Sequence, residues 1–379
     1  MASDVDLNYG ELTWPEVAAL PRQTPLVLPL GSGYDHRQVA ETLGEPSVCW
    51  LPAVPYGWRG SLLPLAEDVF GLALAGILSA PLEEGFQRIV VLCPSDRIGL
   101  PSSVEPLVIP HTTAADPHSL QLNRERVVLI PVGHTEQHGL HLPMNTDTII
   151  IEAIARGVAA GIPEQAEMLP VFPYGASTHR RSFAGTFNMG GRAFEDFMLA
   201  VVGGLVEVGA DRLYLMSGHG GNMSFLVNAV KYAGERFPMA FTATSWLHTS
   251  GRIGGQALER HRRSRRGGMG HAGELETSFL LHLRPDLCRM DRAVDETEFI
   301  STENYFMDWI ESGDLIANPP WEDDTQTGAY GAGTLATAEN GERWLAAAIE
   351  EKSGHVREIH EQQDRRLAKR RALKDAGIS

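Results

Sequence analysis

Four short apolar runs set the fold class of this chain: Leu26–Leu30 (LVLPL), Ile89–Cys93 (IVVLC), Val127–Val132 (VVLIPV) and Leu213–Met216 (LYLM). Each has glycine or proline nearby, and none shows the apolar–polar alternation of a half-exposed strand. Such runs read as strands of a parallel sheet buried on both faces. Helical patterns lie between them. Ile150, Ile154 and Val158 recur every four residues, and the apolar positions of 193–208 have the same spacing. This alternation predicts an α/β layered fold with right-handed crossovers. Binding chemistry then belongs at the carboxyl ends of the strands.

The chain also repeats itself. LVLPLGSGYDH, LPAVPYG (Leu51–Gly57) and EEGFQRIVVLCPSD occur in the first part. VLIPVGHTEQH, LPVFPYG (Leu169–Gly175) and EVGADRLYLMSGHGG follow in the same order in the second. The middle pair is identical at five of seven positions, and the gap between matched segments grows along the chain. The first copy is therefore expected to be a shortened version of the second. It lacks the polar residues described below: Tyr34 stands opposite Glu136, Ser95 opposite His219, and only His36, opposite His138, matches a chemistry-bearing residue. The expected organisation is a degenerate half over 1–100 and a Pro/Ser/Thr-rich linker over 101–124. A chemically equipped domain over 125–350 and a charged C-terminal helix over 351–379 follow.

Composition narrows the class further. The chain has 379 residues, 43% of them apolar and 21% charged, with a net charge of −16. That suits a soluble globular protein with a sizeable core and opposes binding to nucleic acid or an anionic membrane. Three widely spaced cysteines argue against a disulfide framework, and the first residues do not read as a signal peptide. A cytoplasmic protein is the expectation.

Three clusters carry chemistry. Glu136-Gln137-His138-Gly139-Leu140-His141, followed by Asp147, places two carboxylates and two imidazoles directly after a strand. This oxygen and nitrogen mix suits Zn, Mn or Fe(II). By residue type alone, Asp147 equally fits a helix N-cap and His141 a buried, hydrogen-bonded histidine. Ser217-Gly218-His219-Gly220-Gly221-Asn222 follows the LYLM strand and reads either as a ligand-bearing loop or as a Gly-rich turn. His271-Ala272-Gly273-Glu274-Leu275-Glu276 reads as ligands or as an acidic helix start. Taken together, histidines and carboxylates at three strand ends are what a dinuclear metal site needs. Two ions there activate water for attack on a carbonyl, with a nearby His or Glu carrying the proton to the leaving nitrogen.

These motifs, in this order, resemble those of the creatininase family of metal-dependent amidohydrolases. EQHGxHLP with a following Asp, GHGGN and HAGExET carry the resemblance over about 127–294, and GAYGAGTLATAENG (328–341) resumes it. The resemblance implies a three-layer α/β/α fold, a hexameric assembly and two divalent ions per chain. It implies Glu136, Asp147 and His219 around one ion and His138 with Asp147 around the other. Creatininase completes the second site with a glutamate where this chain has Gly221, so Glu274 is the candidate replacement, with Glu276 of the same segment left open, and creatinine itself is an unexpected substrate. His271 is the expected proton carrier beside Glu274. The substrate segment runs through Tyr174, Ser177, His179 and Arg180, and Trp246 is expected either in a lid or in the core.

The arginines at 180 and 181 and the HRRSRR loop offer guanidinium groups to an anionic small substrate, or form a solvated basic surface. The leading reading is hydrolysis of a C–N bond in a small, often cyclic, amide. The same site used for another bond or for acyl transfer is the second reading, and a non-catalytic scaffold the third. A homo-oligomer, trimer or hexamer, is expected, with the first half packed as a second subunit would be.

Overall fold

A computed structural model describes residues 7–45, 47–94, 104–109, 123–178, 182–310 and 313–377. Two parallel sheets organise them. The first contains β1 (Leu7–Asn8), β2 (Leu26–Pro29), β3 (Cys49–Trp50), β4 (Ile89–Cys93) and β5 (Glu105–Val108) in the order β1-β3-β2-β4-β5. The second contains β6 (Val127–Val132), β7 (Ala166–Met168), β8 (Arg212–Ser217) and β9 (Phe241–Thr244) in the order β7-β6-β8-β9. The order β3-β2-β4-β5 and the order β7-β6-β8-β9 are the same topology. The matching bridges Leu30–Val54 and Val132–Phe172 extend each central strand at the same end. β5 falls where the sequence reading put a linker, because residues 105–108 pair with β4 rather than crossing the surface.

The helices are α1 (Trp14–Ala18), α2 (His36–Leu43), α3 (Glu67–Glu83), α4 (Thr146–Gly161), α5 (Gly191–Glu207), α6 (Met223–Arg236), α7 (Arg252–His261), α8 (Glu274–Leu283) and α9 (Ala338–Asp375). α9 is continuous across residue 350, so the charged tail is the end of a helix already docked on α7 and α8.

The period-two geometry of the strands explains how these elements stack. Leu28, Val91, Ile130 and Leu215 turn into one shared core between the sheets, filled by α3, α5 and α6. Val27, Val90 and Leu92 turn the other way, onto α2. Val127, Leu129, Tyr214 and Met216 turn onto the layer of α4, α8 and α9. Each sheet is thus covered on both faces, which is why its strands read as unbroken apolar runs. The two halves share the core between the sheets, while each keeps an apolar cluster of its own on the outer face of its sheet. Among the described residues no helix is long and apolar enough to cross a membrane.

The first residues also tie directly into the second half. Met144 N donates to Leu12 O at 2.8 Å and Asn145 N to Gly10 O at 2.9 Å. The Tyr9 hydroxyl donates to Gly185 O, and the indole of Trp14 to Thr327 O.

Candidate metal centre

β6 ends at Val132, and the chain then folds back over its own strand end. Glu136 N donates to Met144 O, closing a loop that holds Glu136 and His138 at the carboxyl edge of the sheet. Asp147 enters in the first turn of α4, whose N-cap is Asn145, so Asp147 is not the cap. Its carboxylate points to the cluster instead. Gly218 makes this approach possible: a Cβ there would lie 2.3 Å from the Asp147 carbonyl oxygen.

The side chains meet in one buried cluster. Glu136, His138, Asp147, His219, His271 and Glu276 are all at most 3% exposed. Asp147 Oδ1 lies 3.1 Å from His138 Nε2, and Asp147 Oδ2 lies 3.2 Å from His219 Nδ1. Glu136 Oε1 lies 3.1 Å from His219 Nδ1 and 3.6 Å from His271 Nδ1. Glu276 Oε2 lies 3.7 Å from His138 Nε2 and 3.8 Å from His271 Nδ1.

The other nitrogen of each imidazole fixes which atom faces this cluster. His138 Nδ1 sits 3.1 Å from Glu136 O, His219 Nε2 3.1 Å from Ala176 O, and His271 Nε2 2.7 Å from Gln137 O. A carbonyl only accepts, so those three nitrogens donate. The facing nitrogens, in neutral rings, then present lone pairs to carboxylate oxygens. Lone pair against lone pair at such distances requires a cation, either a proton or a metal ion, between them. Metal–ligand distances near 2.0–2.2 Å put two ligands of one ion about 3–4 Å apart, as these are. Backbone-held imidazoles are also the usual outer support of metal-ligating histidines. The donor set fits divalent ions of the Zn, Mn or Fe(II) type.

Electrostatics agree. Burial opposes the charge on Asp147, but His138 and His219 outweigh it and hold the carboxyl well below the usual carboxylate range. Burial likewise opposes a charged His138, and Asp147 and Glu276 outweigh it and raise its affinity for a proton.

Sequence reasoning missed one member. His134 is fully buried, its ring centre lies 4.5 Å from that of His219, and it joins Glu136 and His219 in a group able to hold a metal ion. Its signal was present, an alternate-residue spacing from Glu136 at a strand end.

Glu274 stands apart from the cluster. Its carboxylate accepts from Arg263 N at 2.8 Å and Ser264 N at 2.6 Å, so it holds the 262–264 loop at the start of α8. Glu276 takes the position facing the cluster. The geometric reason is helical: two residues along α8 turn the side chain to the other side. Tyr174 is fully buried among Phe172 and Phe187, and its hydroxyl donates to Pro52 O. Ser177 donates to Glu136 Oε2 at 2.9 Å, which makes it a support for that carboxylate. Trp246 is half exposed and lines a cavity described below. His179 and Arg180 lie outside the described residues. Of the HRRSRR loop, Arg262 pairs with buried Asp308 and Arg263 donates to Leu335 O, both structural contacts. His141 is the buried, hydrogen-bonded histidine of the plainer reading, 2.9 Å from Thr277 Oγ1.

In the first sheet the corresponding strand end holds no such group among the described residues. Tyr34 donates to the carbonyls of Leu30 and Leu92, and His36 stacks on Trp50.

The fold and the site together define an α/β protein with a buried histidine–carboxylate cluster, built for divalent metal, at the carboxyl edge of one of its two parallel sheets. Residues 111–354 match the creatininase (creatinine amidohydrolase) family model, and the chain belongs to that family. It is 34% identical over 231 residues to the mycofactocin precursor peptide peptidase of Mycobacterium ulcerans, covering 59% of this chain and 82% of that one. It is 32% identical over 192 residues to the creatinine amidohydrolase of Pseudomonas putida, covering 45% and 68%. The structure of a manganese creatininase superposes with a TM-score of 0.51 at 26% identity, covering 62% of this chain and 91% of that one. The chain is accordingly a hydrolase of the creatininase family. The family model covers the second sheet and the site.

Proposed function

We propose that this protein is a two-metal amidohydrolase that cleaves a C–N bond of an amide, either a small cyclic amide or a short peptide. The observation that carries the reading is Asp147, whose two oxygens face His138 on one side and His219 on the other. In this reading Asp147 is shared. Glu136, His219 and His134 complete one site, and His138 with Glu276 the other. Bound divalent ions would supply Lewis acidity toward a carbonyl oxygen and lower the pKa of water. The protein's own groups do the rest. Ser177 holds Glu136 in place, and the backbone carbonyls of Glu136 and Ala176 fix the rings of His138 and His219. His271, tied at Nε2 to Gln137 O, presents Nδ1 as the atom that takes up a proton and returns it to the leaving nitrogen. The burial of the whole cluster strengthens each of these interactions.

Residues 1–100 are, in the same reading, a metal-free copy of the site-bearing half. The shared strand order and the repeated LPxxPYG segment support this. It takes the place a second subunit would otherwise fill, which gives a trimer as the expected assembly.

Metal analysis of protein purified without chelator, with an amide and dipeptide hydrolysis screen, tests the proposal. About two equivalents of divalent metal per chain and metal-dependent hydrolysis are expected. No metal after reconstitution would overturn it.

A further inference from the structure

A second feature lies beside the metal cluster and is not used by it. Residues between Phe299 and Trp309, between Gly313 and Ala317, and Asp324 and Tyr330 line, with Trp246, a cavity of about 170 Å³. Its wall is aromatic and aliphatic, formed chiefly by Trp246, Phe299, Phe306, Trp309, Leu315 and Tyr330. Two carboxylates on the wall are already engaged. Asp308 is buried and accepts from Gly267 N at 2.7 Å and pairs with Arg262. Asp324 accepts from the Tyr330 hydroxyl and from Ile300 N. Neither carboxylate is left to recruit a cation.

The rim is apolar too, and it is exposed. Trp246, Ile300, Leu315 and Ile316 are 49%, 70%, 61% and 96% exposed, all on this one cavity. Large apolar side chains gathered in water around a concave surface mark a place where something apolar binds. An apolar cavity of roughly 150 Å³ is enough to admit benzene, so the space is ring-sized.

The cavity is joined to the metal cluster through its walls. The indole of Trp309 covers Gly220, next to His219: a Cβ on Gly220 would lie 3.0 Å from that ring. Tyr330 packs on Trp321, which meets the His271 ring at 5.0 Å, and Tyr330 N donates to His271 O at 2.7 Å. The Trp309 indole N–H is buried with no acceptor among the described residues.

We infer that this cavity is a substrate subsite for an uncharged ring, an aromatic side chain attached to the amide that the metal cluster hydrolyses. The inference rests on the amidohydrolase reading above and deepens it by naming the substrate class. The preferred substrate is an amide or dipeptide carrying an aromatic residue next to the scissile bond.

The test separates binding from chemistry. Binding of para-cresol to the full-length protein is followed by NMR, with benzoate as the charged control. Wild type and the rim variants Leu315→Asp and Ile300→Asp are compared, with melting curves to confirm folding. Hydrolysis of N-acetylphenylalanine amide and N-acetylglycine amide is measured on the same metal-loaded proteins. Binding of para-cresol but not benzoate, weakened at least tenfold in both variants, is expected. So is a KM raised at least tenfold for the phenylalanine amide alone. The same binding result with no hydrolysis of either amide would sustain the subsite and overturn the amidohydrolase reading. Absence of para-cresol binding, or binding that the variants leave unchanged, would overturn the subsite. A drop in assembly mass in Leu315→Asp with para-cresol binding intact would instead assign the rim to contact between copies of the chain.

Discussion

Asp147 Oδ1 and His138 Nε2 stand 3.1 Å apart, both fully buried, and the far nitrogen of His138 is held by the Glu136 carbonyl. The second oxygen of Asp147 repeats the relation with His219. Converting this carboxylate to an amide keeps its shape and removes its charge. Asp147→Asn is therefore expected to fold, to lose most of its bound metal and to lose hydrolysis by roughly 10²-fold or more, the scale of a lost electrostatic catalytic group. Mass-spectrometric metal content beside kcat/KM checks it. Full metal occupancy in the variant would remove Asp147 from the shared position.

Ser177→Ala tests the support of Glu136. The hydroxyl donates to Glu136 Oε2 at 2.9 Å inside the protein, and no ligand is removed by the change. Outer supports of this kind are worth about 10–100-fold in metal affinity or activity. Competition with a chelator of known affinity is expected to show that loss, and the metal-free protein is expected to melt lower as well, since the buried Glu136 carboxylate loses a donor at a cost of roughly 1–3 kcal/mol.

The apolar strands and the three polar motifs were legible because both depend on local order. A strand buried on two faces has to be apolar throughout, and Glu136, His138 and His219 sit in the loops just past strand ends, with Asp147 in the first turn of the helix that follows. Glu274 and Glu276 were not separable. Both lie in the first turn of α8, and only the docking of the 262–264 loop, absent from any local pattern, decides which one faces the cluster. The partner of Tyr174 was hidden for a related reason: its hydroxyl reaches Pro52 in the other half of the chain. The clamp of residues 9–12 on 144–145 is made by backbone groups, which carry no residue signature.

That clamp makes a prediction of its own. Deleting residues 1–20 leaves the N–H groups of Met144 and Asn145 without the Leu12 and Gly10 carbonyls. A buried polar group left unpaired costs roughly 1–3 kcal/mol. The deletion also uncovers the Tyr9–Phe187 contact in the shared core. Calorimetry is expected to show a lower melting temperature, and chelator competition a weaker metal site, although no ligand has been touched. Unchanged metal affinity would mean that the loop before Asp147 holds its shape alone.

Acid stability is expected to be set by two histidines outside the ligand set. Burial pushes His248 down to about 3, and burial together with the charge of His138 pushes His141 down to about 4. Their unfolded value is near 6.5, so between that pH and the folded values the unfolded chain binds more protons. Stability then falls as pH drops from about 6.5 toward 3–4, by up to about 1.4 kcal/mol per pH unit for each histidine. His248 packs edge-on against Phe279, and its ring hydrogen-bonds Thr249 Oγ1. His248→Gln keeps a hydrogen-bonding side chain and removes the titration. Denaturant melts of metal-free protein at pH 7 and pH 5 are expected to show a smaller acid loss in His248→Gln than in wild type, whatever its stability at pH 7. An equal loss in both proteins would place the acid sensitivity elsewhere in the fold.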